Sequence, residues 1–538
     1  MKTTQIIKSL LFVGLFGLLF TYSCKDPLDG VQIQLALNEE IKDHIVTVQF
    51  MDANGVTTLP FQDIEVTVNG TDAASVLSES GDNNFTVNES GMLSLFVMSQ
   101  GENETPLERN FTVTAKADGY LSASQNIKVV GSGQQSPVIK MVNLTTTPQG
   151  VGTTASSFNT SSTGATSTEI SFSATTDNLG SAQVTIPSGT IMKDSNGNPV
   201  SGALHAQLTY FSPTSTSSLE AFPGGLSNIA LQNQSGEFEF ETAGLFALEI
   251  SSGSQLVKTF SAPITVVMEI PAGTPNPDNN FAAIKAGDTI PLWSLSEGET
   301  EWADEGSTTV YEEGGKLYAK LSITHLSYYN LDWVFNACPP ADITIQIDEQ
   351  FTAGKYLARF YNATTGRYQK QKYLYIANNE VLSFYNAPSA FPIKVELYRN
   401  YSFCNTDNVT PVAVSASFNA CQSQTLSFTV TDTGLAQQDL VSFDLSAVCP
   451  NDPNVLLYPN ANIYFKSTDC GYYQFLGNME DGKLTTDKLE IGQDYQFFVY
   501  VYVAGRYAGY RSFTYTVSSS EITQQVEIPE EYAEDVCF

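Results

Sequence analysis

The strongest constraint in this sequence is its hydrophobic period. Apolar and polar residues alternate with a period of two between turn clusters along almost the whole length. Ile45-Val46-Thr47-Val48-Gln49-Phe50 and Gln496-Phe497-Phe498-Val499-Tyr500-Val501-Tyr502 are examples, and a 3.6-residue period is nearly absent. Alternation places successive side chains on opposite faces of an extended chain, so these segments can bury one face of a sheet but cannot form a helical bundle. Asp52-Ala53-Asn54-Gly55, Asn69-Gly70 and Ser90-Gly91 supply the turns between them. The fold class is therefore all-β. At 538 residues the chain exceeds what one core organises, so tandem β-sandwich domains are expected.

The charge balance removes one class of partner. With 25 basic against 57 acidic side chains and a net charge of −32, the chain cannot supply the basic surface that phosphate backbones require, so no nucleic acid is expected. Charged residues are sparse, and Thr, Ser, Asn, Gly, Val and Tyr take their place, a composition of exported β-proteins.

The N-terminus assigns a compartment. Lys2 and Lys8 form a positive start, and the apolar run from Leu10 to Phe20 is too short to span a bilayer as a mature helix, so residues 1–23 read as a signal peptide. It ends at Thr21-Tyr22-Ser23-Cys24. A small residue before a cysteine just past the apolar run resembles the lipobox of bacterial lipoproteins, in the relaxed form found in Bacteroidota. The resemblance implies cleavage before Cys24, acylation of its thiol and amine, and a lipidated tether over 24–30. Lys25-Asp26, with Asp29 close behind, is similar to the signal that sends such lipoproteins to the outer face of the outer membrane. The expected location is thus lipid-anchored, outer-membrane and cell-surface.

Setting Cys24 aside, the six cysteines Cys338, Cys404, Cys421, Cys449, Cys470 and Cys537 all lie in the C-terminal part. An even number in an exported chain, without a C-x-x-C pair or a nearby histidine, reads as three disulfides rather than a metal site, with the pairing open. Two blocks each open with Cys-Pro, at Cys338-Pro339 and Cys449-Pro450, and each end on a cysteine, at Cys421 and Cys537. They read as an internal repeat of disulfide-stapled sandwiches, over 337–439 and 440–538.

Two further resemblances fill in the domains. Over 31–145 the D-x-N-G turn, Asp63-Ile64-Glu65-Val66-Thr67-Val68 and Ala117-Asp118-Gly119-Tyr120 before a final strand resemble carboxypeptidase-regulatory-like sandwiches, which implies an Ig-like or transthyretin-like topology. The last block, with Asp481-Gly482-Lys483, is similar. Residues 146–168, rich in Thr, Ser and Gly, read as a linker or loose edge segment. Over 169–336, Val184-Thr185-Ile186-Pro187, Met268-Glu269-Ile270-Pro271 and His325-Leu326-Ser327-Tyr328-Tyr329-Asn330-Leu331-Asp332 resemble ZU5-like domains and the ectodomains of cartilage intermediate layer protein type.

Chemistry is thinly represented. The three histidines, His44, His205 and His325, lie in different segments without a hydrolase, zinc-protease or P-loop motif, and no cofactor or metal is expected. His325-Leu326-Ser327 resembles the self-cleavage text of some ZU5-type ectodomains, which implies that His325 activates the Ser327 hydroxyl against the preceding carbonyl. The text runs into Tyr328-Tyr329-Asn330-Leu331-Asp332-Trp333, whose alternation reads as a continuing strand holding the peptide planar, so an intact chain is expected. Tyr329, Leu331 and Trp333 should then face one side and Tyr328, Asn330 and Asp332 the other. Asp288-Thr289-Ile290 resembles a Bacteroidota O-glycosylation acceptor, with Thr289 as the modified residue. Tyr472, Tyr473, Tyr500, Tyr502, Tyr507 and Tyr510 could stack on sugars or fill the core. The expectation is a non-enzymatic structural or interaction subunit of an outer-membrane protein complex. A glycan-binding lipoprotein of a nutrient-import system and a self-cleaving surface protein are the alternatives.

Overall fold

The computed structural model describes residues 44–527 and Cys537, apart from 56–58, 79–80, 99–107, 131–136, 228, 340, 348–353, 377–378, 385–386, 399–409, 431–439, 451, 468–472, 487, 490 and 504–505. Cys24 with its signal segment and tether, Cys404, Cys470 and Tyr472 lie outside the described residues. Almost every element is a strand, and the strands build tandem β-sandwiches.

The first sandwich sets the sheet Val76–Leu77, Met92–Val97, His44–Asp52, Val138–Met141 over the sheet Glu65–Asn69, Glu108–Lys116, Ala123–Val130. Period two decides what it buries: Val46, Val48 and Phe50 meet Leu93, Leu95 and Val97 from one sheet and Phe111, Val113 and Ala115 from the other. The first strand lies parallel to the last, with Gln49 opposite Val138. The two cysteine blocks repeat this closure. Ile343 of Ala341–Gln346 lies opposite Gln424 of Gln424–Val430, and Ser442 of Val441–Cys449 lies opposite Glu521 of Glu521–Glu527, both in parallel.

The disulfides reinforce that closure. Cys338 bonds Cys421 and Cys449 bonds Cys537, with Cα–Cα distances of 5.5 and 5.8 Å. Cys338 and Cys449 lie next to and at their block's first strand, and Cys421 stands just before the last strand of its block. Bridges closing loops of this length typically stabilise by about 2–4 kcal/mol.

The second sandwich is one hydrogen-bonded sheet of fourteen strands that curls on itself, from Val151–Thr160 through Phe238–Ser252 and Tyr328–Cys338 to Ile170–Thr175. Leu204 and Leu208 on one limb pack against Val184 and Val266 on the other. The Ser/Thr/Gly-rich stretch over 146–168, read as a linker or loose edge segment, is corrected as to the linker. Val151–Thr160 is a strand at the sheet's edge, paired antiparallel with Gly202–Phe211 over its full length. It buries Val151, Gly152 and Phe158 and leaves most of its Thr and Ser half-buried or exposed. An edge strand with one wet face needs few apolar residues, so composition alone misread it.

The strand after the His325-Leu326-Ser327 triplet has the predicted two faces. Tyr329, Leu331 and Trp333 enter the core between the limbs, and Tyr328 enters a second core on the other face. That second core is shared. It gathers Phe222, Phe240 and Trp302 of the second sandwich with Leu121 and Val142 of the first and Tyr368 of the third. Gly224 belongs to the same junction: its N–H donates to Ser124 O at 2.6 Å, and at φ +87° a Cβ would stand 2.6 Å from Leu295 Cδ2. The first three sandwiches form one compact unit, and the fourth belongs to another.

Candidate functional site

The triplet is not inside a strand. Lys316–His325 ends at His325, the next strand starts at Tyr328, and Leu326-Ser327 makes the bend between them. The continuous strand expected to hold this peptide is therefore absent. The corner is anchored by its backbone: Leu326 N–H donates to Lys258 O at 2.9 Å, and the Tyr329 hydroxyl donates to His325 O at 2.9 Å.

Three side chains converge there. The Ser327 hydroxyl donates to Leu326 O, at 2.8 Å, the carbonyl of the peptide bond it would attack, and its Oγ lies 2.9 Å from His325 Nδ1. His325 Nε2 lies 3.0 Å from Glu305 Oε1, which also accepts from the Ser294 hydroxyl at 2.7 Å. A carboxylate can only accept, so Glu305 selects the imidazole with its proton on Nε2. Nδ1 then presents a lone pair within reach of Ser327 Oγ, where it can take the hydroxyl proton once that hydroxyl turns from Leu326 O. Ser327 is buried, with Ser296 Oγ at 3.2 Å as a further neighbour. Sequence reasoning singled out His325 and Ser327 but not Glu305, which lies twenty residues upstream on Glu301–Glu313 and carries no motif.

No family model and no curated protein matches the chain. Among solved structures it is similar to the Bacillus anthracis TIE protein, at 9% identity over 87% of this chain and 58% of that one, with a TM-score of 0.13. BcpA, the major pilin subunit of Bacillus cereus, aligns at 8% identity over 90% and 98%, with a TM-score of 0.13. The FN1–FN3 domains of chicken CNTN1 align at 11% over 47% and 95%, with a TM-score of 0.10. The chain thus spans little more than half the length of the TIE protein. Likenesses this slight say nothing about function.

The bend forms part of the wall of a cleft of about 860 Å³ between the first two sandwiches, lined also by Lys116, Ser122, Glu249, Lys258 and Glu297. Burial works against ionisation of Glu297. The hydrogen bonds from Lys116 at 2.8 Å and Ser122 at 2.7 Å, with the Lys258 charge, outweigh it and hold the carboxyl below its ordinary range. Glu249 has the opposite balance: burial, then repulsion by Glu297, pushes it from 4.5 up to about 7. A carboxyl raised by folding weakens the folded state when it ionises. Its penalty is absent below the unfolded value, grows as pH rises between the two values and is complete above the folded one. Glu249→Gln is expected to raise the melting temperature by a few degrees at pH 8 and to leave it unchanged near pH 4. Equal gains at both pH values would show that its ionisation is not the cause.

The other candidates separate. Thr289 is exposed at the start of Thr289–Leu295, while Asp288 Oδ2 accepts from Asn276 Nδ2 and Lys285 N–H, both at 3.0 Å, and so holds the preceding loop. His205 Nδ1 lies 2.9 Å from Ser157 Oγ, and His44 is buried in the first sandwich. Tyr473 and Tyr500 are buried, packing on Phe498. The side chains of Tyr502, Tyr507 and Tyr510 lie outside the described residues.

Proposed function

We propose that this chain is a lipid-anchored, cell-surface protein whose sandwiches serve as a structural or interaction subunit of an outer-membrane protein assembly. The observation behind this reading is a single carboxylate. Glu220, on the short helix Thr216–Glu220 of the second sandwich, pairs with Lys140 of the first and with Arg359 of the third, the latter at 3.2 Å. All three side chains are buried, at 3, 9 and 9% exposure. Burying three charges to fix three modules in one body suits a protein that presents a set surface to a partner. The anchor rests on the Ser23-Cys24 text. Cys24→Ala is expected to move the protein from the membrane to the soluble fraction or to stall it as precursor; normal processing with full membrane retention would remove the anchor. Glycan binding draws no support from Tyr473 and Tyr500, which are core residues.

A second reading is favoured by the corner geometry: the chain cuts itself between Leu326 and Ser327. The Ser327 hydroxyl gives its proton to His325 Nδ1 as Oγ bonds to the Leu326 carbonyl carbon. The C–N bond breaks and the imidazolium returns the proton to the departing Ser327 nitrogen, leaving an ester. One water hydrolyses that ester, yielding a Leu326 carboxylate and a Ser327 with free amine and hydroxyl. The two readings are compatible, because strands on both sides of the cut remain hydrogen-bonded within one sheet.

A further inference from the structure

We propose that the cleft between the first two sandwiches binds a cationic group on an alkyl stem, the alkylammonium that a lysine side chain or a free polyamine presents, with Glu249 as its counter-ion. The assignment needs neither the anchor nor the cut proposed above.

Glu249 stands where the sheet leaves room. On Phe238–Ser252 the side chains of Leu248 and Ile250 enter the core between the limbs, so Glu249 faces the other way, with Ala247. The pairing of this strand with Tyr328–Cys338 stops at Ala247, opposite Tyr328, and Glu249 lies two residues beyond that last rung. Its carboxyl lines the cleft, is largely enclosed by protein, and has no hydrogen bond or ion pair among the described residues. The two lysines nearby are committed elsewhere. Lys116 and Lys258 both pair with Glu297, at 2.8 and 3.3 Å. Burial without a partner, with Glu297 as a like charge, is why Glu249 keeps its proton up to about 7. An enclosed carboxylate left without a partner is costly, and a cation entering the cleft would supply one.

The walls decide which cation fits. Asp63, Glu65 and Asp118 of the first sandwich line the same cleft, so with Glu297 and an ionised Glu249 the carboxylates outnumber Lys116 and Lys258. That field disfavours an anion in spite of the lysines. Tyr328 adds no charge, because burial holds its hydroxyl protonated and it donates to Ser122 O at 2.9 Å. A divalent metal needs several oxygen ligands at one point, and no group of three or more metal-binding side chains occurs among the described residues. Ile64, Tyr120 and Leu256 supply an apolar wall. Leu256 is 39% exposed, a surface that the methylenes of an alkyl stem would cover.

The experiment titrates pentylammonium into the full chain by calorimetry at pH 8 and pH 6. Binding is expected at pH 8 and about 10-fold weaker at pH 6, where the cation must displace the Glu249 proton into the buffer. Glu249→Gln should lose that pH dependence and at least about 10-fold in affinity at pH 8, with a melting curve that shows it folded. Ammonium, which has the charge without the stem, and pentanoate, which has the stem with the opposite charge, should each bind at least about 10-fold more weakly. An acetylated lysine tripeptide and cadaverine, each competed against pentylammonium, separate the sources: the tighter of the two assigns the site to a partner chain or to a free polyamine. Equal affinity in wild type and Glu249→Gln, or binding that ignores pH between 6 and 8, would overturn the assignment. So would a cleft that takes pentanoate or bare ammonium as readily, or takes no cation at all.

Discussion

Ser327→Ala is expected to abolish scission between Leu326 and Ser327, turning two fragments on a denaturing gel into one band. The size of the effect follows from what is removed. Ser327 Oγ, 2.8 Å from the Leu326 carbonyl oxygen and 2.9 Å from His325 Nδ1, is the atom that would form the new bond. Without it no ester can form, and hydrolysis of an ordinary peptide is too slow to see. His325→Ala keeps the nucleophile and loses only the base, so cleavage should persist about 10²–10⁴-fold slower. Ser296→Ala, which removes a neighbouring hydroxyl at 3.2 Å, should cut nearly normally. Edman sequencing of the C-terminal fragment should begin Ser-Tyr-Tyr-Asn. A single full-length band from the wild type, in native cells and in hydroxylamine, would return the triplet to a structural role.

The contrast between His325 and Glu305 shows what a sequence can disclose. Strand alternation is local, so the two faces of Tyr328–Cys338 and the buried set Val46, Val48 and Phe50 were legible from neighbouring letters. The staples Cys338–Cys421 and Cys449–Cys537 join the first and last cysteines of the blocks read as a repeat, although spacing left their pairing open. The corner at Leu326-Ser327 was not legible. Alternation continues through it, and the bend is fixed by hydrogen bonds that alternation does not show, from Leu326 N–H to Lys258 O on a distant stretch of chain and from the Tyr329 hydroxyl to His325 O. Val151–Thr160 failed for the opposite reason, since an edge strand half in water can be built from the same residues as a loop. Glu305 and Glu220 are invisible in principle. Each is one acid among 57, and what distinguishes it is the strand or helix that happens to face it.

Glu220→Ala should destabilise the first three sandwiches by about 3–5 kcal/mol, the usual cost of breaking a buried ion pair from one side. Most of that cost comes from the charges left behind. Lys140 and Arg359 would remain largely buried at their junctions without the carboxylate between them. Arg359 would keep its place over the Tyr398 ring, at 5.2 Å. Urea unfolding should show the midpoint falling and one transition spreading into several, because the carboxylate joins all three modules, beside the apolar core around Phe222, Trp302 and Tyr368 and ion pairs such as Lys116–Glu297 and Arg367–Glu241. The control replaces the whole cluster. With Lys140, Glu220 and Arg359 all changed to Met, no charge is stranded, and stability should return to within about 1–2 kcal/mol of the wild type or exceed it. If the single and triple variants unfold alike, Glu220 serves the packing of its own helix, and the three-module body rests on the shared apolar core and on its other ion pairs, Lys116–Glu297 and Arg367–Glu241 among them.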